Sequence, residues 1–421
     1  MKNVLQLLEA RKWEGKYPKY SKVFDTVSII TKVNSPCISV VVIAWKYHPL
    51  LLSNLQALSK QKERINFEVI FVDNGGSPGE FSQCGQYIDT WVRLTENTGV
   101  CIARNIGAIF ASSNILLFLE DDALPDPNLI EAHYFTHLRY APYVARGVCL
   151  PLTSNQLNYR QTWYYLGDKH FPMYANIEGN TSYNSDVFFH IGGWNDDLTY
   201  GGEGKELAMR ILDYDPERTK QIYSPHCIIF HDYANNEQHL KAKLQRQQES
   251  YQILKKRYPD WDDFEGDWHC YLGDEESLQE AAGGIQDLQL QSQYATLTST
   301  IRSRNKDALD AYMHGKAFLF DKEKIVNLSQ KNEDKKMCIF GVGSYGTKVY
   351  RTLKEYGVQI DCFFDNNSEL WNSTREDVKI CNPRQLNKDH FIFIASAWYV
   401  EISGQLGDIG FQIDEDYLII I

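Results

Sequence analysis

The 421-residue sequence predicts an α/β fold: a mainly parallel sheet in the amino-terminal half, a helical connector, and a second, smaller strand-and-helix unit at the carboxyl end. Three observations predict it. Short apolar runs, SVVVIAW from Ser39, FEVIFVD from Phe67 and ILLFL from Ile115, are separated by stretches long enough for crossovers between parallel strands. The runs end in acidic residues, Asp73 and Glu120-Asp121-Asp122, at the strand ends where ligands of such sheets sit. The same alternation restarts at Lys335.

Residues 1–35 precede the first strand as an extension. Their opening MKNVLQLLEARKWEGKYPKY mixes charges into apolar positions and lacks the continuous apolar segment of a secretory signal, so cytoplasmic residence is expected. Residues 36–265 form the first domain. Its helix over 237–257 carries Leu240, Leu244, Tyr251 and Leu254 at helical spacing and is stopped by Pro259. Residues 266–334, Gln-rich, broken at Gly283-Gly284 and poor in strand signals, read as the helical connector. Residues 335–421 form a Rossmann-like unit. Gly341-x-Gly343-x-x-Gly346 lies between strand and helix there, and Asp365 ends the next strand nineteen residues on. Those glycines serve either a bound dinucleotide or close helix-to-strand packing. The packing reading is favoured, with a scaffold, homo-oligomer or partner-docking role for the unit.

Lys and Arg number 43 against 55 Asp and Glu, a net charge of −12 that repels polyanions and argues against nucleic acid as a partner. The longest apolar stretches, residues 40–45 and 391–400, fall short of the ~20 residues a bilayer span needs. No span is expected, which leaves room for peripheral attachment at the inner face of the plasma membrane. Nine cysteines without a C-x-x-C pair suit reduced thiols.

Glu120-Asp121-Asp122 is the most informative element. Three adjacent carboxylates after an apolar strand repel one another unless a cation or hydrogen-bond donors offset them. Magnesium or manganese is the expected resident, since both favour oxygen ligands and bind alongside substrate phosphates; a solvated acidic turn is the bland alternative.

The segment TENTGVCIARNIG from Thr95, the acidic triplet, Gly192-Gly193-Trp194 and Gly201-Gly202-Glu203 occur in an order that resembles the family-2 glycosyltransferases of the GT-A fold, over residues 36–260. The resemblance implies a sheet that binds a nucleoside diphosphate sugar. Ala44, Trp45 and Asp73 would hold base and ribose, although Asp73 also suits a plain DNGG turn. Asn97, Arg104, Asn105, Glu120 and Asp121 would line the donor pocket, with Arg104 as a cation near the diphosphate. Asp122 and His231 would bind manganese or magnesium. Asn180, Trp194 and the rings of Trp163, Tyr164, Tyr165, Phe171 and Tyr174 are acceptor candidates, because aromatic faces suit sugar C–H groups.

In one place the chain departs from the family's pattern. The segment that usually reads GGED, with the final Asp as base, reads Gly201-Gly202-Glu203-Gly204. Glu203 is the expected catalytic base, then Glu206, then Asp197; the alternative is that Glu203 only caps its helix. The expected function is metal-dependent, inverting transfer of a hexose from a nucleoside diphosphate, UDP first, to a carbohydrate or lipid-linked acceptor, with bacterial surface polysaccharide synthesis as setting. Alternatives are a non-catalytic nucleotide- or glycan-binding protein of the same fold, and an NAD-dependent sugar-modifying enzyme working through the carboxyl-terminal unit.

Overall fold

The computed structural model describes residues 4–154, 157, 164–175, 177–198, 200–261, 277–278, 285–396 and 398–421. Trp163, Gly283-Gly284 and most of residues 262–284 lie outside them. The chain divides into two compact units, residues 1–153 with 168–306, and residues 154–167 with 307–421.

The first unit is built on one sheet. Its strands are β1 (Phe24–Ile29), β2 (Ser39–Ala44), β3 (Glu68–Asp73), β4 (Thr90–Leu94), β5 (Ile115–Leu119), β6 (Leu124–Pro125), β7 (Val144–Leu150), β8 (Phe171–Pro172), β9 (Asn180–Asn184) and β10 (Gln221–Phe230). They lie in the order β1-β4-β3-β2-β5-β9-β7-β10-β6, with β8 on β10. The run β4-β3-β2-β5 is parallel, and β9 enters antiparallel between β5 and β7. From β2 the chain winds one way to β3 and β4, then returns to place β5 on the other side of β2. The switch point between β2 and β5 therefore opens a crevice beyond Ala44 and Leu119.

The helices of this unit are α1 (Val4–Ala10), α2 (Tyr17–Val23), α3 (Pro49–Gln61), α4 (Val100–Ile109), α5 (Leu129–Tyr140), α6 (Ser185–His190), α7 (Glu203–Tyr214) and α8 (Glu237–Arg257); α9 (Leu288–Met313) runs on across residue 306. Helix α4 is buried over all but two of its ten residues because Gly107 lets it lie against the sheet: a Cβ there would stand 2.6 Å from Val41 and 2.9 Å from Val72. The residues before β2 belong to the same body. Strand β1 pairs antiparallel with β4, and the Trp13 indole donates to Phe189 O at 2.8 Å.

The second unit has a sheet of β11 (Lys316–Ala317), β12 (Lys336–Phe340), β13 (Cys362–Phe364), β14 (Thr374–Arg375), β15 (Val378–Cys381), β16 (His390–Ile394) and β17 (Tyr417–Ile420), in the order β11-β17-β16-β12-β13-β15-β14. All pairings are parallel except the β14–β15 hairpin. Its helices are α10 (Lys322–Lys331), α11 (Ser344–Glu355) and α12 (Tyr399–Asp408). Two of the three fingerprint glycines are packing residues: a Cβ on Gly341, at φ +113°, would meet Ala395 O at 2.5 Å, and one on Gly346 would overlap Gly341 O. Asp365 is engaged through both oxygens, accepting from Val342 N at 3.0 Å and Asn367 N at 2.8 Å. Among the described residues no helix is long and apolar enough to cross a membrane.

Candidate active site

The crevice at the switch point is floored by the turn after β5. Asn54 of α3 fixes that turn by donating to Glu120 O at 2.9 Å and Ala123 O at 2.7 Å. The carboxylates of Glu120, Asp121 and Asp122 can offer oxygens within 4.8 Å of one another. Each faces a different nitrogen group. Glu120 lies 3.6 Å from Arg104 Nη2, Asp121 3.1 Å from His48 Nε2, and Asp122 3.1 Å from His231 Nε2.

His48 is the N-cap of α3, and its Nδ1 accepts from Leu51 N at 3.2 Å, so Nε2 carries the proton given to Asp121. That hydrogen bond raises its pKa, while burial raises that of Asp121. For Asp122 burial works upward, but the His231 hydrogen bond holds the carboxyl below its usual range; His231 is raised well above its own despite burial. Two imidazoles thus stand against adjacent carboxylates. Carboxylate oxygen and imidazole nitrogen form a donor set that manganese accepts readily, so the residues present fit the expected cation.

Asp73 ends β3 beside Ala44 of β2 and is 1% exposed. Its Oδ1 accepts from Gly76 N at 2.7 Å and its Oδ2 stands 3.9 Å from Arg93; burial raises its pKa. Trp45, just beyond Ala44 at the end of β2, is 49% exposed. Asn97 sits in the loop before α4, its Oδ1 accepting from Asn74 Nδ2 at 3.1 Å and Gly99 N at 3.0 Å.

Three expected site residues occupy the core instead. Asn105, 0% exposed, exchanges hydrogen bonds with both backbone groups of Trp194 and donates to Asp196, which fixes the turn after α6. Trp194, also 0% exposed, is packed edge-on against Phe118 and Tyr183 and offers an acceptor no surface. Asn180 lies in β9 and donates to Val148 O and Cys227 O while accepting from His133 Nε2 at 3.0 Å, so its amide is fully occupied by β7, β10 and α5. Phe171 and Tyr174 are buried as well.

Arg104 is 5% exposed over the Trp194 ring and lies between Glu120 and Glu203, 3.4 Å from Glu203 Oε1. Burial alone would lower its pKa, but Glu120 and Glu203 outweigh burial and raise it. Its charge is thus already matched by two carboxylates. Glu203, at the amino end of α7, is 4% exposed, and its Oε2 has no hydrogen-bond partner among the described residues. Glu206 is bound to Arg210 at 2.6 Å, Tyr258 at 2.6 Å and Asn195 at 3.2 Å, a fully satisfied structural anchor. Asp197 pairs with Arg257 at the surface.

The sequence reading missed Glu178, His48, Asn74 and Lys243. Glu178 accepts from Gly204 N at 3.1 Å, and burial together with Glu203 raises its pKa to about 7. Lys243 of α8 donates to Tyr233 O at 3.1 Å and feels the fields of Glu120 and Asp122. The His48-Pro49 pair opening α3 and the Asn following Asp73 were visible signals of a helix cap and a turn; nothing in the sequence tied Glu178 to Gly204.

Residues 39–194 match the model of glycosyl transferase family 2, and residues 333–419 match the model described as C2185-like, N-terminal. A Bacillus subtilis (strain 168) protein described as uncharacterized glycosyltransferase YfnE is 30% identical over 103 residues, 24% of this chain. The match spans about a quarter (26%) of that relative's length. Among solved structures, the mannosyltransferase PcManGT from Pyrobaculum calidifontis in complex with GDP-Man and Mn2+ is 17% identical and aligns over 74% of this chain and 95% of its own, at a TM-score of 0.37. GalNAc-T7 with UDP, GalNAc and Mn2+ is 15% identical over 48% of this chain and 44% of its own, at 0.36. Through the family match over residues 39–194 and the mixed sheet that carries it, the amino-terminal unit is a family-2 glycosyltransferase domain of the GT-A fold.

Proposed function

We propose that the protein is a metal-dependent, inverting glycosyltransferase that moves a hexose from a nucleoside diphosphate, UDP first among candidates, to a carbohydrate or lipid-linked acceptor. The observation that carries this reading is the acidic triplet at the switch point, each carboxylate set against its own nitrogen partner in the crevice beyond β2 and β5. Asp122 and His231 would hold manganese or magnesium. A bound divalent cation supplies charge neutralisation for the departing diphosphate.

The chain's own residues do the rest. Trp45 and Asp73 take the base and ribose at the ends of β2 and β3. Arg104 fixes Glu120 and Glu203 from behind rather than reaching the diphosphate. Asn180, Trp194 and Asn105 belong to the frame and drop out of the ligand set. A carboxylate beside the amino end of α7 takes the acceptor proton; the sequence alone points to Glu203 for that place.

The carboxyl-terminal unit fits the scaffold or docking reading better than an NAD site, because both oxygens of Asp365 are used by the backbone and two of its three glycines serve packing. The test is release of UDP or GDP from UDP-glucose, UDP-galactose, UDP-N-acetylglucosamine and GDP-mannose with free hexoses as acceptors. Release is expected to require manganese or magnesium and to be lost in Asp122→Ala. Manganese-independent release, or a fully active Asp122→Ala protein, overturns the proposal.

A further inference from the structure

The carboxylate nearest the missing side chain of Gly204 comes from a distant part of the chain. A Cβ at position 204 would stand 2.5 Å from Glu178 Oε1, and 2.8 Å from both its Cδ and its Cγ. Gly204 lies within α7, where helical backbone suits any L residue, so it is space and not conformation that demands glycine there. The space is filled by the Glu178 carboxylate, which takes the Gly204 N–H at 3.1 Å.

Glu178 is delivered to that point by β9. Asn180 pairs with Leu119 at the end of β5, and Glu120 N donates to Gly179 O at 3.1 Å. Any side chain on Gly179 would overlap Glu120, so the two backbones lie close and Glu178 is carried past the acidic turn to the helix end. Glu203 is differently placed: 4% exposed and held by Arg104, it faces inward. Glu178 keeps partial exposure.

We infer that Glu178, supplied from the segment before β9, is the catalytic base that accepts the acceptor's hydroxyl proton, in the place where Gly204 leaves no side chain. This rests on the transferase reading proposed above. In the step, the acceptor oxygen forms a bond to the anomeric carbon as the bond from that carbon to the diphosphate oxygen breaks. The bonding pair leaves with the diphosphate, and the acceptor proton passes to a Glu178 oxygen. A carboxyl with a pKa of about 7 is half ionised near neutral pH, the range in which a general base works best. Glu203 then acts as a positioning residue, adding to burial in keeping the Glu178 carboxyl basic.

The experiment compares Glu178→Gln, Glu178→Ala and the double variant Glu178→Ala/Gly204→Asp. The readouts are nucleoside diphosphate release with hexose acceptors and calorimetric binding of the same donor with manganese. Glu178→Gln is expected to lower kcat by about 100-fold or more, with donor affinity within about twofold of the unaltered protein. The double variant, which returns a carboxylate to the vacated space from the helix side, is expected to recover at least about tenfold over Glu178→Ala; this arm also decides the matter if Glu178→Gln folds poorly. Near-normal turnover in Glu178→Gln, or a double variant no faster than Glu178→Ala, overturns the inference. An unaltered protein that neither binds nor turns over any donor removes the transferase reading itself, and that result is seen before any variant is compared.

Discussion

Arg104 shows what a residue type conceals. A guanidinium in a donor-side motif suggests a phosphate ligand, yet the side chain is 5% exposed and divided between Glu120 and Glu203. Replacing it with Met leaves Glu203 buried without its cation, and a loss of about 3 kcal/mol of stability is expected, read from the shift in denaturant midpoint. Lysine should not restore it fully, since a point charge cannot reach two carboxylates and also lie flat on the Trp194 ring. Asn105, Asn180 and Trp194 were likewise chosen for their chemistry and turned out to be frame, because polarity is visible in a sequence whereas the neighbours that satisfy it are not. Asp73, the acidic triplet and His231 could be placed at strand ends for the opposite reason: the apolar run before each reads plainly.

The histidines behind β9 carry a second prediction at this scale. Because Asn180 Nδ2 donates to two carbonyls, its Oδ1 accepts from His133 Nε2–H, so His133 Nδ1 accepts from Ser182 Oγ and His137 Nε2 donates to that same hydroxyl. Burial pushes His133 down to about 4 and His137 down to about 3, so both are neutral in the folded state. Unfolded, they bind protons below about pH 6.5. The unfolded chain therefore takes up more protons between pH 6.5 and about 4, and stability should fall as pH drops through that window. Urea midpoints at pH 7.5, 6 and 5 check this, and His137→Asn should show a shallower dependence.

Strands and helices were readable where a single period ran through them. β2, β3 and β5 are continuous apolar runs, and α8 carries its leucines at helical spacing. β7 and β9 were not readable, since VARGVCL and NTSYN place Arg146, Thr181 and Ser182 where a strand buried on both faces should be apolar. Those polar residues find partners nearby and on α5: Thr181 donates to Ile177 O, Arg146 to Gly147 O, and the Ser182 hydroxyl bonds His133 and His137. Gly147 of β7 marks a close approach: a Cβ there would overlap both Asn180 Nδ2 and Cys227 O. Gly147→Ala is therefore expected to destabilise the protein by about 3 kcal/mol, measured as a lowered unfolding midpoint with unchanged slope.

At the scale of the molecule, the alternation of strands and helices announced two parallel-rich sheets, and both are present. What composition could not announce is that residues before the first predicted strand join the first sheet, because β1 is two-thirds exposed along its length and so lacks an apolar signature. The proposed cation should register on the whole fold: with manganese at about 100 times its dissociation constant, stability should rise by about 2.7 kcal/mol. A thermal melt should show the rise, and Asp122→Ala should abolish it. For the carboxyl-terminal unit, protein dialysed and then denatured is expected to release no stoichiometric nucleotide.

The pairing of β1 with β4, and the indole of Trp13 on Phe189 O, set an order of events during synthesis. Trp13 must wait for a carbonyl 176 residues downstream, an interval of roughly 9–35 s at ribosomal speeds of ~5–20 residues per second. Until then the nascent chain presents an uncovered aromatic to whatever is nearby, and a chaperone binding residues 10–30 would keep β1 from the edge of β4 without touching the crevice.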